Sequence, residues 1–247
     1  SFDTPAAQTM LRVLRLQGRQ VCVMRHLPRR GLAEHRAFLL SQASTGYVLF
    51  LDDDVWLEPG ALARLRTAIV ELGCGFVGAA VQGLSYLADR RPDELEPYQE
   101  WRGRPEPELI EPGSPGWRRW TLHNAANPTH LGERVPPGQW RAYRVAWVGG
   151  CVLYDRRALL EAGGFDFWPQ LPEQHCGEDV LAQQRVMARR GGAGVLPTGA
   201  YHLESATTIP DRLVDAARVL NRWAPLTACK YPDGGYLRQR DGTAKEE

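Results

Sequence analysis

An uninterrupted apolar run that ends in three carboxylates constrains this chain more than any other feature. Residues 47–51 read Tyr-Val-Leu-Phe-Leu without polar alternation, and Gly46 precedes them. A short run of this kind predicts a strand buried on both faces, as in a parallel α/β sheet. Asp52, Asp53 and Asp54 follow at the carboxyl end of that strand, which is the edge where open α/β sheets bind ligands.

The carboxylate run predicts a cation site. Adjacent carboxylates repel one another and raise each other's pKa unless a cation neutralises them. Their oxygens suit Mg2+ or Mn2+, which also bind phosphate oxygens, so we expect a metal–diphosphate site at the strand end. A solvated acidic turn is the alternative. Glycoside hydrolases use paired carboxylates too, but three in succession, without a matched acid in an apolar pocket, fit a cation site better.

Composition narrows the class of protein. The chain has 247 residues, of which 43% are hydrophobic and 24% charged, as expected for one large α/β domain. A net charge of +1 gives no electrostatic reason to expect a nucleic acid partner. Five cysteines, odd in number and without C-x-x-C spacing, indicate reduced thiols. These reduced thiols predict a cytoplasmic protein, and no apolar window is long enough for a transmembrane segment.

Periodicity on either side of the carboxylate run predicts alternating strands and helices. Helices are predicted over Thr9–Leu16, Leu32–Ala43, Pro59–Leu72, Arg156–Ala162 and Pro210–Trp223, and a further helix opens at Glu178. Strands are predicted over Val21–Met24, Tyr47–Leu51, Gly75–Val81, Val145–Tyr154 and Gly194–Leu196. This alternation predicts a Rossmann-like α/β fold, with a mostly parallel sheet and helices on both faces.

The segment 86–143 interrupts that alternation. Proline, glycine, tryptophan and arginine dominate it, and a stretch of this length without periodicity is too long for an idle loop. Its tryptophans argue against disorder, because disordered segments are poor in aromatic residues. We expect an irregular excursion that packs over the site. Tryptophan faces suit sugar rings, but core packing is the commoner fate of a tryptophan.

The carboxylate segment resembles a known signature. The sequence YVLFLDDDVWLEPGAL is similar to the Asp-x-Asp segment of family-2 glycosyltransferases, which have the GT-A fold, with Asp52 and Asp54 at the two aspartate positions. The resemblance implies a nucleotide-diphosphate sugar donor and a saccharide or other hydroxyl acceptor, and it implies that the excursion over 86–143 forms an acceptor wall or a lid. It also implies that Asp54 binds Mn2+ or Mg2+ and that Asp52 or Asp53 binds the donor ribose or sugar.

Two further segments extend the resemblance toward the donor. Gly31 and Arg36 match the family pattern N-x-G-x-x-x-x-R-N, although alanine replaces its last asparagine and the asparagine before the glycine is missing. Arg36 is then a phosphate or base contact, with a surface cation as the alternative. The segment GGCVLYDRRALLEAGGFDFW resembles the second family block, which implies donor-sugar contacts from Trp147, Gly149 and Gly150. A β-bulge would also explain the paired glycines.

Two late motifs complete the resemblance. The segment CGEDVLAQQRVMARRGG resembles the Glu-Asp motif, which implies that Asp179 is the general base and Glu178 its neighbour or an acceptor ligand. Acidic residues also favour a first helical turn for purely electrostatic reasons. His202 resembles the late histidine that completes the metal or diphosphate site in some GT-A enzymes. A hydrogen-bonded structural histidine is the alternative.

Together these features predict a metal-dependent, inverting hexosyl- or related transferase, residues 1–247 forming one glycosyltransferase domain. The rival hypothesis is a degenerate, non-catalytic sugar- or nucleotide-binding module, which the missing asparagines favour. The resemblance further implies that two N-terminal nucleotide-binding strands are absent, so that the chain is a fragment. The alternative is a self-contained variant in which Val21–Met24 pairs directly with Tyr47–Leu51. Residues 233–247 are expected to form a flexible polar tail.

Overall fold

The computed structural model describes residues 3–124, 127–206 and 212–220. The chain divides into two compact units, one ending at Arg30 and one beginning at Gly31. The first unit contains one helix, α1 (Pro5–Leu16), whose first turn is capped by the Thr4 hydroxyl accepting the Ala7 N–H at 3.2 Å. Residues 21–24 form no strand, so the strand predicted there is wrong. Strand propensity alone was insufficient, because a strand needs a pairing partner.

The second unit contains the other helices of the described chain. They are α2 (Leu32–Gln42), α3 (Ala61–Leu72), α4 (Pro92–Leu95), α5 (Asn127–Gly132), α6 (Arg156–Glu161), α7 (Glu178–Arg190) and α8 (Ala216–Leu220). The helix α3 ends where the sequence predicts, because Gly73 adopts a left-handed conformation with φ of 56° and donates its N–H to Ile69. None of the described helices combines the length and the apolar composition needed to cross a bilayer.

The described residues of the second unit form two sheets. The strands are β1 (Tyr47–Leu51), β2 (Val55–Leu57), β3 (Phe76–Gly78), β4 (Gln82–Gly83), β5 (Arg141–Tyr143), β6 (Cys151–Asp155), β7 (Gly192–Leu196) and β8 (Ala200–His202). The larger sheet has the order β1-β6-β3-β7-β5, and the smaller has the order β2-β8-β4. The α/β class is therefore confirmed, with a central sheet flanked by helices.

The direction of the strands differs from the prediction. In the larger sheet only β3 and β7 pair in parallel, whereas the other neighbours pair antiparallel. The expectation of a mostly parallel sheet is therefore wrong for the described strands. Periodicity reports how deeply a strand is buried, but it does not report the direction of the neighbouring strand. Here β6, from late in the chain, lies between β1 and β3.

Strand β1 is less buried than its apolar sequence predicts. Its only neighbour among the described strands is β6. Phe50 is its only buried residue, and Leu51 is 41% exposed. The expectation of a strand buried on both faces is therefore wrong, because β1 lies at the edge of the larger sheet.

The core lies on both faces of the larger sheet. Phe76 and Tyr154 belong to the cluster that also contains buried residues of α6 and α7. Val77 and Leu153, their sequence neighbours, belong to a second cluster with the buried face of α3. Successive strand residues point to opposite faces, so the helices cover both faces, as the sequence predicts.

The excursion over 86–143 is largely irregular, as expected. It contains the short helices α4 and α5, a 3-10 helix over Pro115–Thr121, and β5, which adds an edge strand to the larger sheet. Trp117 and Trp120 stack with their ring centroids 4.2 Å apart. Both pack, partly buried, against the first core cluster.

Several element boundaries differ from the prediction: α1 begins at Pro5 rather than Thr9, α3 begins at Ala61 rather than Pro59, and β3 covers only Phe76–Gly78. The strand predicted over Val145–Tyr154 begins only at Cys151, because Gly149 and Gly150 form a loop in which Gly150 has φ of 71°. The last predicted helix is described only as α8, and Leu213, expected on its buried face, is 89% exposed. Residues 210–211 and 221–223 of that predicted helix lie outside the described residues. The predicted tail, 233–247, lies outside them too.

Candidate active site

The carboxylate run forms a turn against the loop of paired glycines. The Asp52 N–H donates to the Gly150 carbonyl at 2.9 Å, and the Val55 N–H donates back to the Asp52 carbonyl at 3.2 Å. Gly150 has φ of 71°, and a Cβ there would lie 2.8 Å from Val81 Cγ2. Glycine is therefore needed at this position, because only glycine combines this φ with so close an approach. The structure thus brings two of the predicted motifs together.

Arg36 connects the carboxylate run to the start of α7. Its Nε donates to Glu178 Oε1 at 2.9 Å, and its terminal nitrogen lies 3.4 Å from Asp52 Oδ1. The side chains of Glu178 and Arg36 are 3% and 15% exposed, whereas that of Asp52 is 43% exposed. Arg36 is therefore not a surface cation. It lies between carboxylates from two elements that are far apart in sequence.

The electrostatics of this cluster single out Asp179. Burial raises the pKa of its carboxyl, the neighbouring Glu178 raises it further, and Arg36 opposes both, with a result of about 7. The pKa of Arg36 itself is raised, because the attraction of Glu178, Asp179 and Asp52 outweighs the effect of burial. A half-buried carboxyl with a pKa near neutrality can exchange a proton at physiological pH.

A histidine that the sequence interpretation missed holds α2 against the segment before α7. His175 is buried, its Nδ1 donates to the Pro172 carbonyl at 2.7 Å, and its Nε2 accepts the Ala33 N–H at 3.0 Å. A Cβ at Gly31 would lie 2.6 Å from the Glu173 carbonyl oxygen and would overlap the His175 ring. Gly31 was thus the available signal in the sequence, because a glycine can mark a position where another segment of the chain approaches closely.

A buried glutamine holds the paired-glycine loop to α7. Gln183 accepts the Val148 N–H at 2.7 Å and donates to the Val148 carbonyl at 2.6 Å. The side chain thus satisfies both backbone polar groups of Val148. Sequence alone gave no signal for this contact, since glutamine in a helix is commonly exposed.

Asp54 lies beside His202. Pairing of Val55 with His202 joins β2 to β8, and the Leu203 N–H donates to the Asp54 carbonyl at 2.9 Å. This brings His202 Nε2 to 3.2 Å from Asp54 Oδ2. The two residues predicted to share a cation are therefore adjacent in the folded chain.

The structure also locates Asp53 and Trp147. Asp53 is exposed at the turn. The Trp147 indole N–H donates to the Trp120 carbonyl at 3.1 Å, and Trp147 packs, partly buried, against the first core cluster. Its ring is therefore held by the excursion.

The donor set decides whether a divalent cation fits. Within the described residues no group of three or more histidine, cysteine or acidic side chains is arranged to hold a metal. Mg2+ and related ions at phosphate sites commonly take one or two protein carboxylates and complete their shell with phosphate oxygens and water. The carboxylate of Asp54, 18% exposed at an accessible turn, fits that kind of site.

The comparison with known proteins identifies the family of the chain. The sequence profile of the family described as "Glycosyl transferase family 2" matches residues 3–131, more than half of the chain. The match includes Arg36 and the carboxylate run and ends before the paired glycines and Asp179. No curated protein matches the chain. Members of the family transfer a sugar from a nucleotide-sugar donor to an acceptor, and they generally use a divalent metal. This chain belongs to glycosyl transferase family 2.

Proposed function

We propose that this protein is a metal-dependent, inverting glycosyltransferase that moves a sugar from a nucleotide-diphosphate donor to a hydroxyl acceptor. The observation that carries the proposal is the position of Arg36 between Asp52 and Glu178, with contacts of 3.4 and 2.9 Å. The guanidinium of Arg36 thus joins the carboxylate run to the acidic start of α7. Donor-binding and proton-accepting groups then share one site.

Asp179 is the general base in this proposal. Glu178 is almost fully buried and engaged by Arg36, which leaves the neighbouring Asp179 to receive the proton of the acceptor hydroxyl. Its pKa of about 7 suits that task, because a base near the working pH is both available and strong enough.

The donor binds along the turn and the glycine loop. Asp52 and Asp53 hydrogen-bond hydroxyl groups of the donor, and the backbone at Gly149 and Gly150 admits the sugar closely. Asp54 holds Mn2+ or Mg2+. When bound, the cation neutralises the charge that develops on the departing diphosphate. The excursion over 86–143 lines the acceptor side of the site.

The decisive experiment measures donor turnover and donor binding separately. Nucleotide sugars are screened with and without Mn2+ by thermal shift, since a ligand that binds only the folded state raises its stability. The best donor is then assayed for transfer and hydrolysis. Metal-dependent turnover supports the proposal, whereas metal-dependent binding without turnover supports the rival binding module, which the alanine at 37 favours.

Replacing the proposed base tests the mechanism. We expect Asp179→Asn to keep donor affinity and to lower turnover by about 10²-fold or more, the usual scale for a lost general base. Isothermal titration with the donor and steady-state rates at pH 8 provide the two readouts. A variant with normal turnover would reduce the Glu178–Asp179 pair to a feature of the helix start.

A further inference from the structure

The ring of His202 is held in an orientation that bears on the cation site. We infer that His202 is a positioning residue that directs an N–H toward Asp54, and that it is not a ligand of the divalent cation. The part that concerns the cation rests on the proposed function. The part that concerns the ring rests on the hydrogen bonds of the described chain.

One ring nitrogen is already committed as an acceptor. The backbone N–H of Glu204 donates to His202 Nδ1 at 2.9 Å. A backbone N–H can only donate, so Nδ1 must present its lone pair, and a neutral ring then carries its proton on Nε2.

The other ring nitrogen therefore faces Asp54 as a donor. Nε2 lies 3.2 Å from Asp54 Oδ2, and the two side chains are 21% and 18% exposed. Coordination of a cation through Nε2 would require the proton to move to Nδ1. Two N–H groups, those of Nδ1 and of Glu204, would then face each other across 2.9 Å.

The turn that carries the Glu204 N–H is held by contacts with another segment of the chain. Glu204 has φ of 57°, which is uncommon for a residue other than glycine. Its carboxylate accepts the Ser85 hydroxyl at 2.5 Å and the Ser85 N–H at 3.1 Å. Gly83, paired with His202 across β4 and β8, leaves room for that carboxylate, since a Cβ there would lie 2.9 Å from its Oε1.

This arrangement gives His202 and Asp54 different tasks. The histidine N–H fixes Oδ2 of Asp54, which leaves Oδ1 for the cation. The cation completes its shell with diphosphate oxygens and water, as Mg2+ commonly does at phosphate sites. Residues that orient a metal ligand commonly change metal affinity by 10- to 100-fold, so the role is measurable.

The first test requires no metal. Long-range proton–nitrogen NMR of the metal-free protein at pH 8, with nitrogen-15 in histidine, reports which ring nitrogen carries the proton. We expect the Nε2–H form for His202, assigned by its loss in His202→Gln. A proton on Nδ1 would overturn the inference, whether or not the protein later binds a cation.

The second test examines the cation. Pulsed EPR of the protein with Mn2+ and inorganic pyrophosphate detects a histidine nitrogen bound to the metal. We expect no such coupling in the nitrogen-15 histidine sample. A histidine coupling that disappears in His202→Gln would contradict the inference. If Mn2+ fails to bind the wild-type protein, the metal-dependent function fails, while the NMR result still decides the role of the ring.

Substitutions separate a donor from a ligand. His202→Gln keeps an N–H donor and should hold the Mn2+ affinity, measured with pyrophosphate, within about threefold of wild type. His202→Phe loses the donor and should lower that affinity by about tenfold. Asp54→Asn should abolish Mn2+ binding. Equal losses in the glutamine and phenylalanine variants would return His202 to the ligand set.

Discussion

At the scale of single residues, the site depends on one positively charged side chain, that of Arg36, which lies among carboxylates. Arg36 contacts Glu178 and Asp52, and its charge lowers the pKa of Asp179 against burial and the repulsion of Glu178. A buried charge is tolerated only with a partner. The same arginine therefore maintains the fold locally and sets the protonation of the proposed base.

Removing the charge of Arg36 should shift the pH dependence of activity. Arg36 lowers the pKa of Asp179, so in Arg36→Met the acid limb of kcat/KM should move to higher pH. Arg36→Lys keeps the charge and should move the limb less. Arg157→Met, which removes an exposed arginine of α6, is the control for general arginine loss. An unchanged limb in Arg36→Lys and Arg36→Met alike would separate Asp179 from catalysis.

The ionised carboxylate of Asp179 should also destabilise the folded protein at alkaline pH. Its folded-state pKa of about 7 exceeds the value near 4 of an unfolded chain. Between these pH values the folded state binds more protons than the unfolded state, so stability falls as pH rises and the loss is complete above 7. Asp179→Asn should therefore be more stable than wild type at pH 8, on the order of 2 kcal/mol, and the difference should shrink toward pH 5. Urea unfolding at both pH values measures this.

At the scale of elements, the site depends on how closely α2 approaches the segment before α7. His175 spans the two, and Gly31 has φ of 98° with no space for a side chain. Within α7, Gln183 holds the paired-glycine loop through Val148. The helix α7 is therefore the element against which both motifs are positioned.

A methyl group at Gly31 should disturb this approach. Gly31→Ala combines a left-handed φ with overlap of the Glu173 carbonyl and the His175 ring, and should cost about 2–3 kcal/mol in unfolding free energy. Gly46→Ala is the matched control, since no atom lies within 4 Å of its added Cβ, and it should change stability by less than about 1 kcal/mol. Equal effects of the two substitutions would contradict the close contact.

At the scale of the whole molecule, the larger sheet places the carboxylate run at its edge. The strand β6 has a neighbour on each side, β1 and β3, whereas β1 has β6 alone among the described strands. Of the β1 residues only Phe50 is buried, and Leu51 is exposed. The turn with the carboxylate run thus follows a strand that has one neighbour among the described strands.

Hydrogen exchange tests this sheet order. Both sides of β6 are paired over residues 152–154, so their amides should exchange slowly. Amides of β1 that point away from β6 lack a described ladder partner and should exchange at least tenfold faster. Equal protection of every β1 amide would indicate a second neighbour for this strand.

The sequence by itself determined the elements and the chemistry of their ends. It placed β1, the bounds of α2, the glycine stop of α3 and the carboxylates at the starts of turn and helix, because periodicity, capping and charge are local properties. Only the tertiary structure decided that the larger sheet is mostly antiparallel, that β1 lies at its edge, and that Arg36 joins Asp52 to Glu178. It also fixed the ring of His202. These features depend on contacts between residues far apart in the chain, whose free energies no local pattern records.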